Sequence, residues 1–231
     1  MQKLSIERLE LAGLTARVVG PADAKVTAIL MHGFGAPGDD LVGLAPYIDA
    51  PVRFVFPAAP LELGGLYGDA RAWWLLDLAR LERDLASGRP SDRSAEIPDG
   101  LTTARETVLR LVAEVQARYA DNRIVLGGFS QGAMTALDVA LHLPAAPAGV
   151  VLMSGTLLAE SVWGPRMARL AGVPVLMSHG RADQLLPFAA AETLRDKLTA
   201  AGAKVEWHAF GGGHEIPPQV VDAVGAFLRR I

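Results

Sequence analysis

A serine set among glycines after an apolar run, with a carboxylate and a histidine further along the chain, can carry out acyl transfer. Here the serine is Ser130, within Gly128-Phe-Ser-Gln-Gly132. The motif stands between a strand-like run, Arg123-Ile-Val-Leu-Gly127, and a helical run, the strand–turn–helix setting of a nucleophile elbow. The plainer alternative is a serine that only caps the next helix. A hydroxyl is a weak nucleophile near neutral pH, so it needs an adjacent base, and the base needs an orienting carboxylate. On this topology both partners follow the serine, acid first and histidine second, on loops after later strands.

Five histidines compete for the base. His32 precedes the serine and belongs to another motif. His142 falls on the helix after the elbow, and His208 lies inside the last strand pattern. His179 follows the strand-like Val173–Met177 and is read, with Gly180, as shaping a loop. His214 sits in Gly211-Gly-Gly-His-Glu-Ile-Pro-Pro, between the last strand and the last helix, and is the expected base. Asp183, in Ser178-His-Gly-Arg-Ala-Asp, is the carboxylate on the expected loop. Its rivals Asp138, Asp196 and Asp222 fall in helical patterns and are expected to face solvent.

Acyl transfer also needs donors for the oxyanion, and losing one can cost roughly 10²–10³ in rate. One expected donor is the backbone N–H of Gln131, directly after the serine. The other is assigned to Phe34, in Met31-His-Gly-Phe-Gly-Ala-Pro-Gly38. That loop also spells G-x-G-x-x-G, a dinucleotide fingerprint. Two features oppose that reading: no acid ends the following strand, and Pro37 removes a backbone donor where a phosphate wants one.

The elements that must position these groups can be read from hydrophobic rhythm. Apolar runs at 4–11, 14–19, 26–31, 52–56, 123–127, 149–153, 173–177 and 204–208 are expected strands. Most are continuously apolar, as in a parallel sheet covered on both faces. Helical patterns cover 101–119, 131–143, 188–201 and 218–230. The alternation predicts a single α/β domain over 1–231 with right-handed crossovers. Leu61–Gly100 interrupts the rhythm as an insert of lid or acyl-pocket type, holding Trp73 and Trp74 and a loop at Ser91–Ser94. The tryptophans are candidates to line an apolar pocket. The plainer reading has one of them anchoring the insert to the body.

Composition narrows the class further. The 231 residues are 51% apolar and 20% charged with net charge −3, which argues against disorder and against a polyanionic partner such as nucleic acid. Cysteine is absent, which removes disulfides, thiol nucleophiles and thiolate metal sites. No apolar run reaches the ~18 residues of a membrane span, and the charged start is unlike a secretory signal, so a cytoplasmic location is expected.

Together, Leu30-Met-His-Gly-Phe-Gly35, Gly127-Gly-Phe-Ser-Gln-Gly-Ala133, His179-Gly-Arg-Ala-Asp183 and Gly213-His-Glu-Ile216 resemble the phospholipase/carboxylesterase family of α/β-hydrolases, which includes acyl-protein thioesterases and small bacterial carboxylesterases. The resemblance implies a Ser130–Asp183–His214 triad and an oxyanion hole from Phe34 and Gln131. It also implies cleavage of small ester, thioester or lysophospholipid substrates with no cofactor or metal. The chain departs from the family in the insert, where a Trp-Phe-Asp element is replaced by Trp73-Trp-Leu-Leu-Asp77. Two other functions remain open: an acyltransferase using the same acyl-enzyme, and a ligand binder that keeps the fold. An apolar face on the insert would serve as a lid or as a homodimer contact.

Overall fold

The computed structural model describes residues 5–65, 68–88, 92–120 and 123–231. Leu4 and Ser91, expected in the first strand and in a loop, lie outside the described residues. Eight strands form the main sheet: β1 (Ile6–Leu11), β2 (Leu14–Val19), β3 (Val26–Met31), β4 (Arg53–Pro57), β7 (Arg123–Phe129), β8 (Gly149–Met153), β9 (Pro174–Gly180) and β10 (Lys204–Phe210). Their order is β1-β2-β4-β3-β7-β8-β9-β10. Strand β2 runs antiparallel to β1 and β4, and every pairing from β4 to β10 is parallel. A further pair, β5 (Leu61–Glu62) and β6 (Arg71–Ala72), stands apart within the insert.

Strand β3 shows why the central strands are continuously apolar. Alternate side chains point to opposite faces, and each face has its own helical cover. Ile29 and Met31 join a core built with α2 (Leu101–Arg118), α3 (Gln131–Ala140) and α5 (Phe188–Ala200). Ala28 and Leu30 join the opposite core, with α6 (Pro218–Leu228) and the 3-10 helix Asp40–Tyr47. The buried stripe of α2, at Leu101, Ala104, Val108, Leu111 and Val115, follows the helical repeat. Replacing the fully buried Leu111 by alanine would cost roughly 2–5 kcal/mol.

Helix α3 differs from α2 because it is buried all round, over all ten residues. That overturns one expectation. Asp138, read as solvent-facing, is buried on α3, whereas Asp196 and Asp222 are exposed. Arg105 binds Asp138 through two nitrogens, at 2.7 and 3.1 Å, and the Trp163 indole N–H donates to it at 2.8 Å. These bonds tie α2 and α3 to the short α4 (Glu160–Trp163).

The insert is partly built into the body. The N–H of Gly35 donates to the Arg71 carbonyl (2.9 Å), and the Arg71 N–H donates back to Ala36 (3.0 Å). Beyond Trp74 the chain turns into α1 (Leu78–Ser87). There Asp77 accepts the Arg80 N–H at 3.0 Å, a side-chain cap on the first turn. Arg80 then pairs with Glu96 at 2.6 Å, fastening α1 to the chain that returns toward α2. Among the described residues, no helix is long and apolar enough to cross a membrane.

Candidate active site

Strand β7 delivers Ser130 at its C-terminal end, and α3 begins at the next residue. The serine has φ 54° and ψ −119°, a strained conformation for a residue with a side chain. Its N–H donates to Met153 on β8 at 2.8 Å, and its carbonyl accepts from Ala133 and Met134 in the first turn of α3. The flanking glycines are required by close approach to β3. A Cβ on Gly128 or Gly132 would lie 2.4 or 2.0 Å from the Met31 carbonyl oxygen.

Two loops converge on the hydroxyl. His214 Nε2 lies 2.8 Å from Ser130 Oγ, and His214 Nδ1 lies 2.7 Å from Asp183 Oδ2. An ionised carboxylate only accepts, so Nδ1 carries the hydrogen and Nε2 is free to accept from the serine. Oδ1 of Asp183 accepts the N–H groups of Leu185 and Leu186, both at 2.9 Å. Burial would push the Asp183 carboxyl up, but hydrogen bonds from His179, His214 and Leu186 outweigh it and hold the group well below the usual carboxylate range. Backbone bonds stitch the two loops together, Arg181 N–H to Phe210 (2.8 Å) and Ala182 N–H to Gly212 (3.0 Å). Gly180 permits this contact, since a Cβ there would meet the Gly213 oxygen at 2.1 Å.

His32 is a strut rather than a base. Its Nε2 accepts the Ala59 N–H at 3.0 Å, so Nδ1 carries the hydrogen and donates to Gly33 at 2.8 Å. Burial lowers its tendency to protonate, which preserves that arrangement. The loop it supports lies beside Ser130: a Cβ on Gly33 would sit 3.4 Å from the Ser130 Cβ. Phe34 and Gln131 border a cavity of about 580 Å³ together with Ser130 and His214. As the first residue of α3, Gln131 has an N–H with no partner inside the helix.

The two insert tryptophans separate in role. Trp74 lines the cavity, with Leu76, Met134, Leu158, Leu185 and Leu186. Trp73 is not part of the lining and takes the anchoring place instead. It is buried, its indole N–H donates to the His32 carbonyl (3.0 Å), and its backbone N–H donates to the Gln131 side-chain oxygen (2.9 Å). The same Gln131 amide donates to the Trp74 carbonyl at 2.9 Å. One side chain thus clamps the pocket wall to α3.

His179 was expected in a loop after β9. It lies within β9, fully buried, with Nε2 3.2 Å from Asp183 Oδ2. The signal was present in the i, i+4 spacing of His179 and Asp183, but a strand ending at Met177 hid it. His142, expected on the helix after the elbow, lies in the turn just beyond α3, where its Nδ1–H donates to the Asp138 carbonyl (2.7 Å); His208 lies 2.8 Å from Glu206, and both are away from the serine. Among the described residues, no three His, Cys, Asp or Glu side chains cluster as a metal site.

Residues 15–231 match the Phospholipase/Carboxylesterase family. The chain belongs to that family. It is 30% identical to acyl-protein thioesterase 1 of Eremothecium gossypii over 222 residues, covering 89% of this chain and 88% of that protein. It is 28% identical to a probable carboxylesterase of Oryza sativa subsp. japonica, covering 94% and 84%. Among solved structures, esterase PE8 superposes with a TM-score of 0.76 at 31% identity, over 99% of both chains. Acyl-protein thioesterase 2 of Zea mays gives 0.73 at 25% identity, over 93% of this chain and 97% of that one. The fold is that of an α/β-hydrolase, and the chain is a carboxylic ester hydrolase of carboxylesterase or thioesterase type.

Proposed function

We propose that this hydrolase cleaves esters or thioesters of apolar acyl groups through an acyl-enzyme on Ser130. The observation that carries the reading is the unbroken relay Asp183 Oδ2–His214 Nδ1 (2.7 Å) and His214 Nε2–Ser130 Oγ (2.8 Å), opening into the apolar cavity. Ser130 Oγ attacks the carbonyl carbon while His214 Nε2 takes its proton. The carbonyl π electrons move onto oxygen, where the N–H groups of Phe34 and Gln131 stabilise the charge. The tetrahedral centre collapses, the bond to the alcohol or thiol breaks, and His214 returns its proton to that leaving group. Water then repeats the sequence on the acyl-enzyme, with His214 as base, and releases the acid and free Ser130. Asp183 holds the tautomer throughout and stabilises the imidazolium.

The cavity of about 580 Å³ lies within the ~300–1,000 Å³ range of small-ligand pockets. Trp74, Met134, Leu158 and Leu186 give it walls suited to a hydrocarbon chain. The test uses p-nitrophenyl esters from acetyl to palmitoyl, with Ser130→Ala beside wild type and fluorophosphonate labelling of both. Wild type is expected to turn over and to be labelled at Ser130. The variant should lose about 10³-fold or more in kcat without labelling and with unchanged unfolding. Activity near wild type in Ser130→Ala would overturn the assignment.

A further inference from the structure

We infer that His179 is a second positioning residue of this site, holding Asp183 in place and moderating its pull on His214. The inference rests on the triad reading above. The ring sits one residue from the end of β9 and is fully buried. Its Nε2 lies 3.1 Å from the Leu186 carbonyl oxygen and 3.2 Å from Asp183 Oδ2. Both neighbours only accept, so Nε2 carries a hydrogen shared between them. Nδ1 is buried and has no partner among the described residues. A hydrogen there would be an unpaired buried donor, so the ring is neutral with its hydrogen on Nε2.

The important feature is which oxygen is shared. Oδ2 of Asp183 also receives His214 Nδ1, so two imidazoles draw on one carboxylate oxygen. Oδ1 is already occupied by the N–H groups of Leu185 and Leu186. An N–H beside Oδ2 withdraws charge that would otherwise stabilise a proton on His214. The same N–H, held also by Leu186, fixes the height of the acid loop above β9. The charged side chains that share the cavity with His214 are Asp40, Asp77, Arg80, Arg93, Glu96 and Asp99. Glu215 folds back onto the Gly213 N–H (3.2 Å), and Arg181 lies over the Phe188 ring that packs edge-on to His179. From the elbow, His214 meets Ser130 Oγ and the Phe129 ring, the latter at 4.8 Å between centroids, and neither carries a charge.

His179→Leu keeps an apolar body against Phe188 and removes the donor. Its kcat/KM is expected to fall roughly tenfold to a hundredfold, the scale of one hydrogen bond to a charged group. The acidic limb of its pH–rate profile should move to higher pH, because Asp183 then holds the His214 proton more firmly. His179→Gln places an amide N–H where Nε2 stood, and should return the limb to its wild-type position with most of the activity. His179→Asn, whose amide is too short to reach, should behave like His179→Leu, and it keeps the comparison available if the leucine variant does not fold. The pH dependence of fluorophosphonate labelling at Ser130 gives a second readout that needs no substrate. An unmoved acidic limb in both the leucine and asparagine variants would overturn the inference. In that event an inactive, unlabelled Ser130→Ala would leave the triad standing, whereas an active one would remove the triad itself.

Discussion

The protein buries two aspartates beside histidines, Asp138 and Asp183, and surrounds them with opposite kinds of partner. Both side chains are fully excluded from solvent. Asp138 lies inside a sheath of helices, paired with Arg105 and capped by the Trp163 indole. Its charge is fully engaged by a permanent cation. Asp183 lies at the C-terminal end of the sheet and is bonded, among the described residues, by backbone N–H groups and imidazoles. Its charge is solvated by neutral donors and remains available when His214 gains a proton. A buried acid with a fixed counter-ion braces a structure; one with neutral donors and a protonatable neighbour can stabilise a charge that comes and goes.

Asp183→Asn should produce the largest effect. The amide N–H₂ would favour the wrong His214 tautomer, and kcat should fall about 10⁴-fold. The asparagine oxygen can still accept from Leu185 and Leu186, so stability should change by only ~1–2 kcal/mol. Asp138→Ala should reverse the pattern. It leaves the Arg105 charge and the Trp163 N–H unpaired, costing roughly 3–5 kcal/mol. Its kcat per fluorophosphonate-titrated site should match wild type. Urea unfolding and active-site titration on both variants check the pair. The contrast breaks if Asp138→Ala loses turnover per site, or if Asp183→Asn unfolds as easily as Asp138→Ala.

The same contrast explains what could be read from the sequence. Ser130, Asp183 and His214 sit at the ends of apolar runs, where a parallel sheet must place its loops, so the order of elements nearly located them. The strand boundaries were less legible: β9 continues through His179 because Gly180 and the flanking loops keep pairing with β10. Asp138 departs from its expected place because a charged residue in a helical pattern suggests an exposed face. Yet Gly132–Leu143 is apolar on every side of the helix, and that should have marked any acid there as buried. The division of labour between Trp73 and Trp74 is not legible, since the chain bends just after β6 and no periodicity assigns either side chain a face. The Gln131 clamp on the backbone and the indole bond from Trp73 to the His32 carbonyl hold Trp73 inward, while Trp74 faces the cavity.

The smallest expected effect separates the two regions by pH. Asp183 is held below its ordinary 3.8, so the unfolded chain takes up its proton first on acidification, and this stabilising contribution is lost as pH falls below about that value. His142, beside Asp138, is pushed below 6.5 mainly by burial, against the Asp138 carbonyl and charge. For a histidine this sign means that the unfolded chain protonates first, so stability declines as pH falls through 6.5. His32 acts in the same direction. His142→Gln should therefore flatten part of the fall in urea midpoint between about pH 8 and pH 5. Asp183→Asn should leave that window unchanged and flatten the curve only at lower pH. If His142→Gln ran parallel to wild type from about pH 8 to pH 5, the helix-bound acid and its histidine would be indifferent to protonation, and pH would not distinguish the two regions.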